Sequence, residues 1–165
     1  MPGLINAHAH LMADGRPLPQ TLTIPAAARV IVGFWKTPLG RPMLRERARG
    51  FVECELNAGV TTLRCLGEYD NEAITLGRDS ETGRWPGPRI TASGPLLAIT
   101  GGHGAELGLA RVVDAPWEGR KAVRQNLHLG ATSIEIAATG GVTDAKVVGE
   151  AGRAQMRVEG LFMTV

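Results

Sequence analysis

Apolar positions recur along this chain with two different spacings, which together predict strands followed by helices. Short runs of mostly apolar residues predict buried strands. Apolar residues spaced three or four apart predict helices that pack one face against a sheet. The predicted strands cover residues 4–10, 60–66, 89–93 and 133–138, and the predicted helices cover residues 43–57, 71–76 and 115–129.

The stretches between these elements carry weaker signals. Residues 11–42 read as a long loop containing several prolines, and a loop of that length is usually functional or partly helical. Residues 95–99 are apolar and lead into the glycine-rich residues 101–104. Residues 155–162 resemble the start of a further helix.

Alternation of buried strands with helices predicts an α/β fold. We expect a single domain over residues 1–165, built as a partial TIM-like (β/α)8 barrel of about four strand–helix units. The 165 residues fall short of the ~250 typical of a closed barrel. An open, doubly wound sheet is the alternative, but no glycine-rich GxGxxG turn follows the first strand, where that fold would bind a dinucleotide.

Composition narrows the class of protein. Hydrophobic residues at 44% and charged residues at 21% are typical of a soluble globular chain. The formal net charge of +2 is too small to indicate nucleic-acid binding. With no signal-peptide pattern and no long apolar run, we expect a cytoplasmic protein without a membrane partner. Cys54 and Cys65 lack metal or redox spacing, so we expect both to be buried and reduced.

His8 and His10 are the strongest chemical signal in the chain. They lie two residues apart at the end of the first predicted strand, where side chains alternate between faces. Both imidazoles therefore project from one face, where they would converge on a divalent metal such as zinc. The alternative is a pair of surface or hydrogen-bonded histidines, since a metal needs ligands beyond these two.

Five motifs in order along the chain resemble those of the metal-dependent amidohydrolase superfamily. The resemblance is to the branch that contains imidazolonepropionase-like enzymes and Xaa-Pro dipeptidases (prolidases). It implies a (β/α)8 barrel with a one- or two-metal hydrolytic centre. The motifs are PGLINAHAHL at residues 2–11, AGVTTLR at 58–64, GPRITASG at 87–94, ITGGHG at 99–104 and GATSIEIAATGGV at 130–142.

The resemblance implies which residues form the site. His8 and His10 would be metal ligands, with zinc as the expected metal. Glu135 stands where similar sequences carry a lysine that becomes carbamylated, so its carboxylate would be a third ligand; the alternative is a decayed site. Period-two alternation directs Glu135 inward and Ile134 toward the helices. His103 would lie in the substrate pocket, or else in an exposed loop.

The activity implied is hydrolysis of an amide C–N bond, in a dipeptide or an N-acyl amino acid, by metal-activated water. Only the first four strands of the barrel have a counterpart here. The family's water-handling aspartate follows the last strand, so no catalytic base is assigned, and we expect a truncated chain that is inactive alone. Arg64, Glu68 and Asp70 follow the second strand without an assigned role.

Two other functions stay open at this point. A non-catalytic half-barrel would use its open strand edges to form a homo-oligomer or to bind a partner. A phosphate- or nucleotide-binding α/β domain is the third alternative.

Overall fold

Strands and helices alternate through most of the chain in the computed structural model, which describes residues 2–12, 24–142, 149 and 151–156. The strand–helix order confirms the predicted α/β class. The elements are β1 (Leu4–Ala9), α1 (Pro25–Trp35), α2 (Gly40–Asn57), β2 (Val60–Cys65), α3 (Glu72–Glu81), β3 (Arg89–Ala92), β4 (Leu96–Ala98), β5 (Ala110–Val112) and α4 (Pro116–Leu129).

The main sheet has the order β1-β2-β3, and both strand pairs are parallel. Helices α2 and α3 make the two crossovers. Strand β2 lies in the middle, and Leu63 and Cys65 on it are fully buried. Since the strands are parallel, the carboxyl ends of β1 and β2 reach the same edge of the sheet, and this edge carries the candidate site.

The predicted fourth strand, residues 133–138, lies where expected but forms only an isolated parallel bridge between Ile136 and Leu97. Thr132 donates its N–H to the carbonyl of Ala92, and Leu97 donates to the carbonyl of Glu135. The segment therefore runs parallel to β3 and then β4. The ladder is interrupted because Gly94, with φ of +68°, breaks the backbone between these two strands.

Packing confirms the predicted alternation of side chains around Glu135. Ile134 and Ile136 pack with Ala122 and Val123 of α4, while Ala137 belongs to a separate cluster on the other side. The larger core lies between the main sheet and helices α2 and α3. Its fully buried members are Ala48, Val52, Leu63, Cys65, Ala73 and Leu76.

The long segment 11–42 is partly helical, one of the two outcomes expected for it, because it contains α1. Several other predictions of local structure were wrong. Helix α2 begins at Gly40 rather than residue 43, and α3 continues to Glu81 rather than residue 76. Strand β5 was not predicted. Gln155 and Met156 are not helical, and residues 157–162 of that predicted helix lie outside the described residues.

Both cysteines are free, and Cys65 is buried as predicted. The prediction for Cys54 was wrong, because this thiol is exposed. The buried positions of α2 follow a spacing of four and include Leu44, Ala48 and Val52. Cys54 lies two residues beyond Val52, which turns it about 200° around the helix, to the solvent side.

Among the residues described, no helix combines the length and apolar character that crossing a membrane requires.

Candidate active site

The two histidines of β1 meet at the carboxyl end of the strand. Their Nε2 atoms lie 3.1 Å apart, and the two rings are inclined by 69° with centroids 4.9 Å apart. The structure therefore brings His8 and His10 together on one face, as strand periodicity predicts. Their role as metal ligands stays a prediction.

Hydrogen bonding assigns the protons of this pair in its neutral form. His10 Nδ1 lies 2.6 Å from the carbonyl oxygen of Leu66, which only accepts, so Nδ1 carries the proton. His10 Nε2 then presents a lone pair, and the 3.1 Å contact requires the Nε2 proton of His8. A metal bound at both Nε2 atoms would displace that proton, while His10 is already in the ligating tautomer.

Glu135 reaches the same place from the segment beside β4. Its Oε1 lies 4.0 Å from His8 Nε2. Its Oε2 is buried and has no hydrogen-bond partner among the described residues. A buried carboxylate oxygen without a partner carries a desolvation cost, which a bound cation would offset. The structure thus brings the carboxylate of Glu135 within 4.0 Å of His8, one member of the histidine pair.

Gly67, in the turn after β2, packs directly against Glu135. A Cβ at this position would lie 2.5 Å from Glu135 Oε2, and Gly67 has a φ of +60°, a conformation that favours glycine. A side chain at position 67 would therefore push the carboxylate of Glu135 away from its present position.

Glu68 is a residue of this site to which sequence reasoning gave no role. It is 1% exposed, and its Oε1 accepts a hydrogen bond of 2.8 Å from the backbone N–H of Leu11. Its Oε2 is buried without a partner among the described residues. Burial raises the pKa of Glu68 to about 7; the Leu11 bond lowers it and the charge of Glu135 raises it. The position of Glu68 directly after a buried strand was the sequence signal that could have identified it as a residue of this site.

The other two polar residues after β2 lie elsewhere. Asp70 forms an ion pair with Arg41, with 2.5 Å between the charged atoms. Arg64 is an exposed residue of β2. The contacts described for Asp70 and Arg64 therefore do not connect either residue with the site.

His103, in the glycine-rich loop of residues 101–104, lies against the backbone that follows the Glu135 segment. A Cβ at Gly141 would lie 2.0 Å from His103 Nδ1, so the imidazole covers the backbone of this glycine. The backbone N–H of His103 donates to the side chain of Gln155 at 3.3 Å. The described contacts of His103 therefore place it beside the Gly141 backbone.

The donor set can be compared with what a metal requires. In the described part of the chain, no group of three or more His, Cys, Asp or Glu side chains is arranged to hold a metal ion. Two ligands of a tetrahedral zinc lie about 3.3 Å apart, close to the histidine separation, whereas Glu135 is too distant by roughly 0.7 Å. Two imidazoles and a carboxylate with a buried, unpartnered oxygen nevertheless fit such a metal in their chemistry.

A groove of about 440 Å³ runs beside the histidine pair along β1 and helix α2. It offers space next to the candidate metal ligands. Its lining includes Asn6, His8, His10, Cys54 and Glu55.

Comparison with known proteins identifies the family context of this arrangement. Residues 1–161 match the family model described as "Amidohydrolase family". No curated protein matches the chain.

Three solved structures are similar in fold to this chain. A putative prolidase from Bifidobacterium longum is 37% identical with a TM-score of 0.62; the alignment covers 98% of this chain and 31% of that one. A prolidase solved with N-methylphosphonate-L-proline is 30% identical with a TM-score of 0.72, covering 98% and 38%. A Xaa-Pro dipeptidase with bound methionine is 29% identical with a TM-score of 0.62, covering 85% and 34%.

The chain thus spans about a third of the length of these solved proteins, which are barrels. This confirms the predicted partial barrel. The pairing of β1, β2 and β3, with residues 132–138 beside β3, corresponds to the first four strands of such a barrel.

Proposed function

Because this chain belongs to the amidohydrolase family, we propose that it forms part of a metal-dependent hydrolase of amide C–N bonds in dipeptides or N-acyl amino acids. His8, His10 and Glu135 hold the divalent metal in this proposal, and His103 contacts the substrate. Similarity to a putative prolidase and to a Xaa-Pro dipeptidase supports a peptide-like substrate. Zinc as the metal and a cytoplasmic location remain predictions from the sequence.

The observation that carries the proposal is the convergence of three donor groups from distant parts of the chain. The Nε2 atoms of His8 and His10 lie 3.1 Å apart, and Glu135 approaches them across more than 120 residues of sequence. Two imidazoles and a carboxylate are the ligand set of several catalytic zinc sites. Burial of the unpartnered Oε2 of Glu135 adds a group that a cation would satisfy.

When bound, a divalent metal lowers the pKa of a coordinated water and polarises the scissile carbonyl. The residues of this chain prepare the position. His10 stands in the ligating tautomer because Leu66 accepts its Nδ1 proton. Glu135 supplies negative charge without the modification that a lysine there would need. No described residue is assigned as the base, so we expect the 165-residue chain to bind metal without turning over substrate.

Metal content tests this proposal. We expect the purified chain, loaded with Zn²⁺ and dialysed, to retain close to one equivalent by mass spectrometry. His8→Ala and His10→Ala should reduce this to background, and Glu135→Gln should weaken the binding. His128→Ala removes an imidazole from α4 and is the matched control, expected to bind like the wild type. Zinc retained equally by all four variants would contradict the proposed site.

Assembly is a second candidate function, and it is favoured by the outer edge of the sheet. Among the described strands, β1 pairs only with β2, and its Leu4 and Ile5 are 61% and 72% exposed. An open edge with exposed apolar side chains favours pairing with another strand, including one from a second copy. Sedimentation at micromolar concentration should show a homo-oligomer; a stable 17.5 kDa monomer would exclude self-assembly.

A further inference from the structure

The turn after β2 holds the end of β1 through three successive hydrogen bonds. Leu66 donates its backbone N–H to the carbonyl of Ala9 at 2.9 Å, and its own carbonyl accepts from His10 Nδ1 at 2.6 Å. Glu68 Oε1 then accepts the backbone N–H of Leu11 at 2.8 Å. Residues on both sides of His10, as well as its ring, are therefore bound to one short turn.

The Glu68 bond is the unusual one of the three, because a buried carboxylate makes it. Glu68 is 1% exposed, and only its Oε1 has a partner among the described residues. Burying a carboxyl group with one unpartnered oxygen costs stability. The bond to Leu11 is the described contact that offsets part of this cost, so it ties the Glu68 side chain to the backbone directly after His10.

The same turn also contacts the other side of the candidate metal centre. Gly67 packs against Glu135 Oε2, while its neighbour Glu68 reaches Leu11. A shift of this turn would therefore displace His10 and Glu135 together.

We propose that Glu68 is a positioning residue of the candidate metal centre, which holds the N–H of Leu11 and thereby keeps His10 Nε2 aimed at the point shared with His8 and Glu135. This inference rests on the proposed function, because the positioning of His10 matters only if His10 binds a metal. In the inference, Glu68 acts through the position of its side-chain oxygen and not through its charge. Partners that orient a ligating histidine typically contribute about 10–100-fold to metal affinity.

Two conservative substitutions separate reach from charge. Glu68→Asp keeps the charge but withdraws the oxygen by one methylene, so it should release Leu11. Glu68→Gln loses the charge but keeps an oxygen at the same reach. Glu72→Asp is the matched control, because Glu72 is also a buried glutamate, 5% exposed, but it binds Arg45 on the other helix.

The first measurement uses the metal-free chain. Nitrogen chemical shifts of the His10 ring report whether Nδ1 holds the proton. We expect a single Nδ1-protonated form in the wild type, Glu68→Gln and Glu72→Asp, and averaged tautomers in Glu68→Asp. A fixed tautomer in Glu68→Asp, or its loss in Glu68→Gln, would overturn the inference.

The second measurement is the dissociation constant for Co²⁺, followed by its visible absorption. We expect binding about 10–100-fold weaker in Glu68→Asp and close to wild-type in Glu68→Gln and Glu72→Asp. Equal affinity in all variants would overturn the inference. If the wild-type chain binds no Co²⁺, the proposed metal function fails, and the ring measurement by itself decides the role of Glu68.

Discussion

Gly67 lies so close to the carboxylate of Glu135 that a side chain at position 67 would displace this carboxylate. A Cβ there would lie 2.5 Å from Glu135 Oε2. The two residues come from different strand–helix units, separated by 68 positions, and their contact joins the turn after β2 to the carboxylate of the segment beside β4. The candidate site therefore depends on a glycine that has no chemical function of its own.

Substitution of Gly67 by alanine should displace Glu135. The backbone strain at φ of +60° and the contact with Oε2 together should lower the free energy of unfolding by about 2–3 kcal/mol, measured by urea denaturation. Gly83→Ala is the control, since Gly83 has a φ of +70° but nothing within 4 Å of a Cβ. It should cost only the strain, about 1 kcal/mol, and equal losses in the two variants would show that the contact with Glu135 is unimportant.

The two thiols should react at very different rates. Cys54 is exposed, whereas burial, followed by the charges of Glu68 and Glu55, raises the pKa of Cys65. The reactive thiolate of Cys65 is therefore scarce and inaccessible in the folded chain. A colorimetric disulfide reagent at pH 8 should modify one thiol at once and the second only after unfolding. Cys54→Ser should abolish the fast phase, and two fast thiols in the wild type would contradict the burial of Cys65.

Tyr69, the single tyrosine, gives a direct test of burial near the site. Burial, followed by the charge of Glu68, raises the pKa of Tyr69 to about 12, while Arg47 lowers it. A titration followed by absorbance at about 295 nm should have its midpoint near pH 12 in the folded chain. In denaturant the midpoint should lie near the ordinary value of 10.0.

The same shift predicts a loss of stability in alkali. Between pH values of about 10 and 12 the unfolded chain loses the Tyr69 proton first, so the free energy of unfolding should fall as pH rises. Below that range both states keep the proton, and Tyr69 should make no pH-dependent contribution. A native midpoint near 10 would show that Tyr69 is solvated.

A partly buried ion pair should stabilise the contact between α2 and α3. Arg45 Nε donates to Glu72 Oε2 at 2.7 Å, and the side chain of Glu72 is 6% exposed. Arg45→Met should lower the free energy of unfolding by about 1–2 kcal/mol, because it leaves a buried carboxylate without its partner.

An exposed pair and a double variant complete this test. Removing Arg41, which pairs with Asp70 at a more exposed position, should cost no more than about 0.5 kcal/mol. The double variant Arg45→Met, Glu72→Met should recover most of the loss of Arg45→Met. A loss from Arg45→Met as small as that from the exposed pair would show that Glu72 is satisfied without Arg45.

Local patterns in the sequence were enough for the features that depend on neighbouring residues. Alternation along a strand put His8 and His10 on one face, and it separated Glu135 from Ile134 and Ile136. The buried positions of α2 also followed from their spacing, whereas β2 is buried only at alternating stretches, with Thr61 and Arg64 exposed. These predictions hold because strand and helix geometry fix which side chains share a face.

The sequence was less informative where a segment depends on distant partners. Strand β5 has only three residues and exists because it pairs with β4. The fourth strand is reduced to a bridge because Gly94 turns the backbone between β3 and β4. Cys54 is a different case, because its helical spacing from Val52 already turns it away from the buried side of α2 and the prediction overlooked this spacing.

The sequence by itself determined the class of fold, the order of strands and helices and the shared face of the histidine pair, since these follow from short-range periodicity. Only the tertiary structure decided that Glu68 is buried beneath Leu11, that Gly67 gives space to Glu135, and that His103 lies against Gly141. Each of these contacts joins residues 38 to 68 positions apart. No local pattern encodes such distances, because they arise when parallel strands bring their carboxyl ends to one edge.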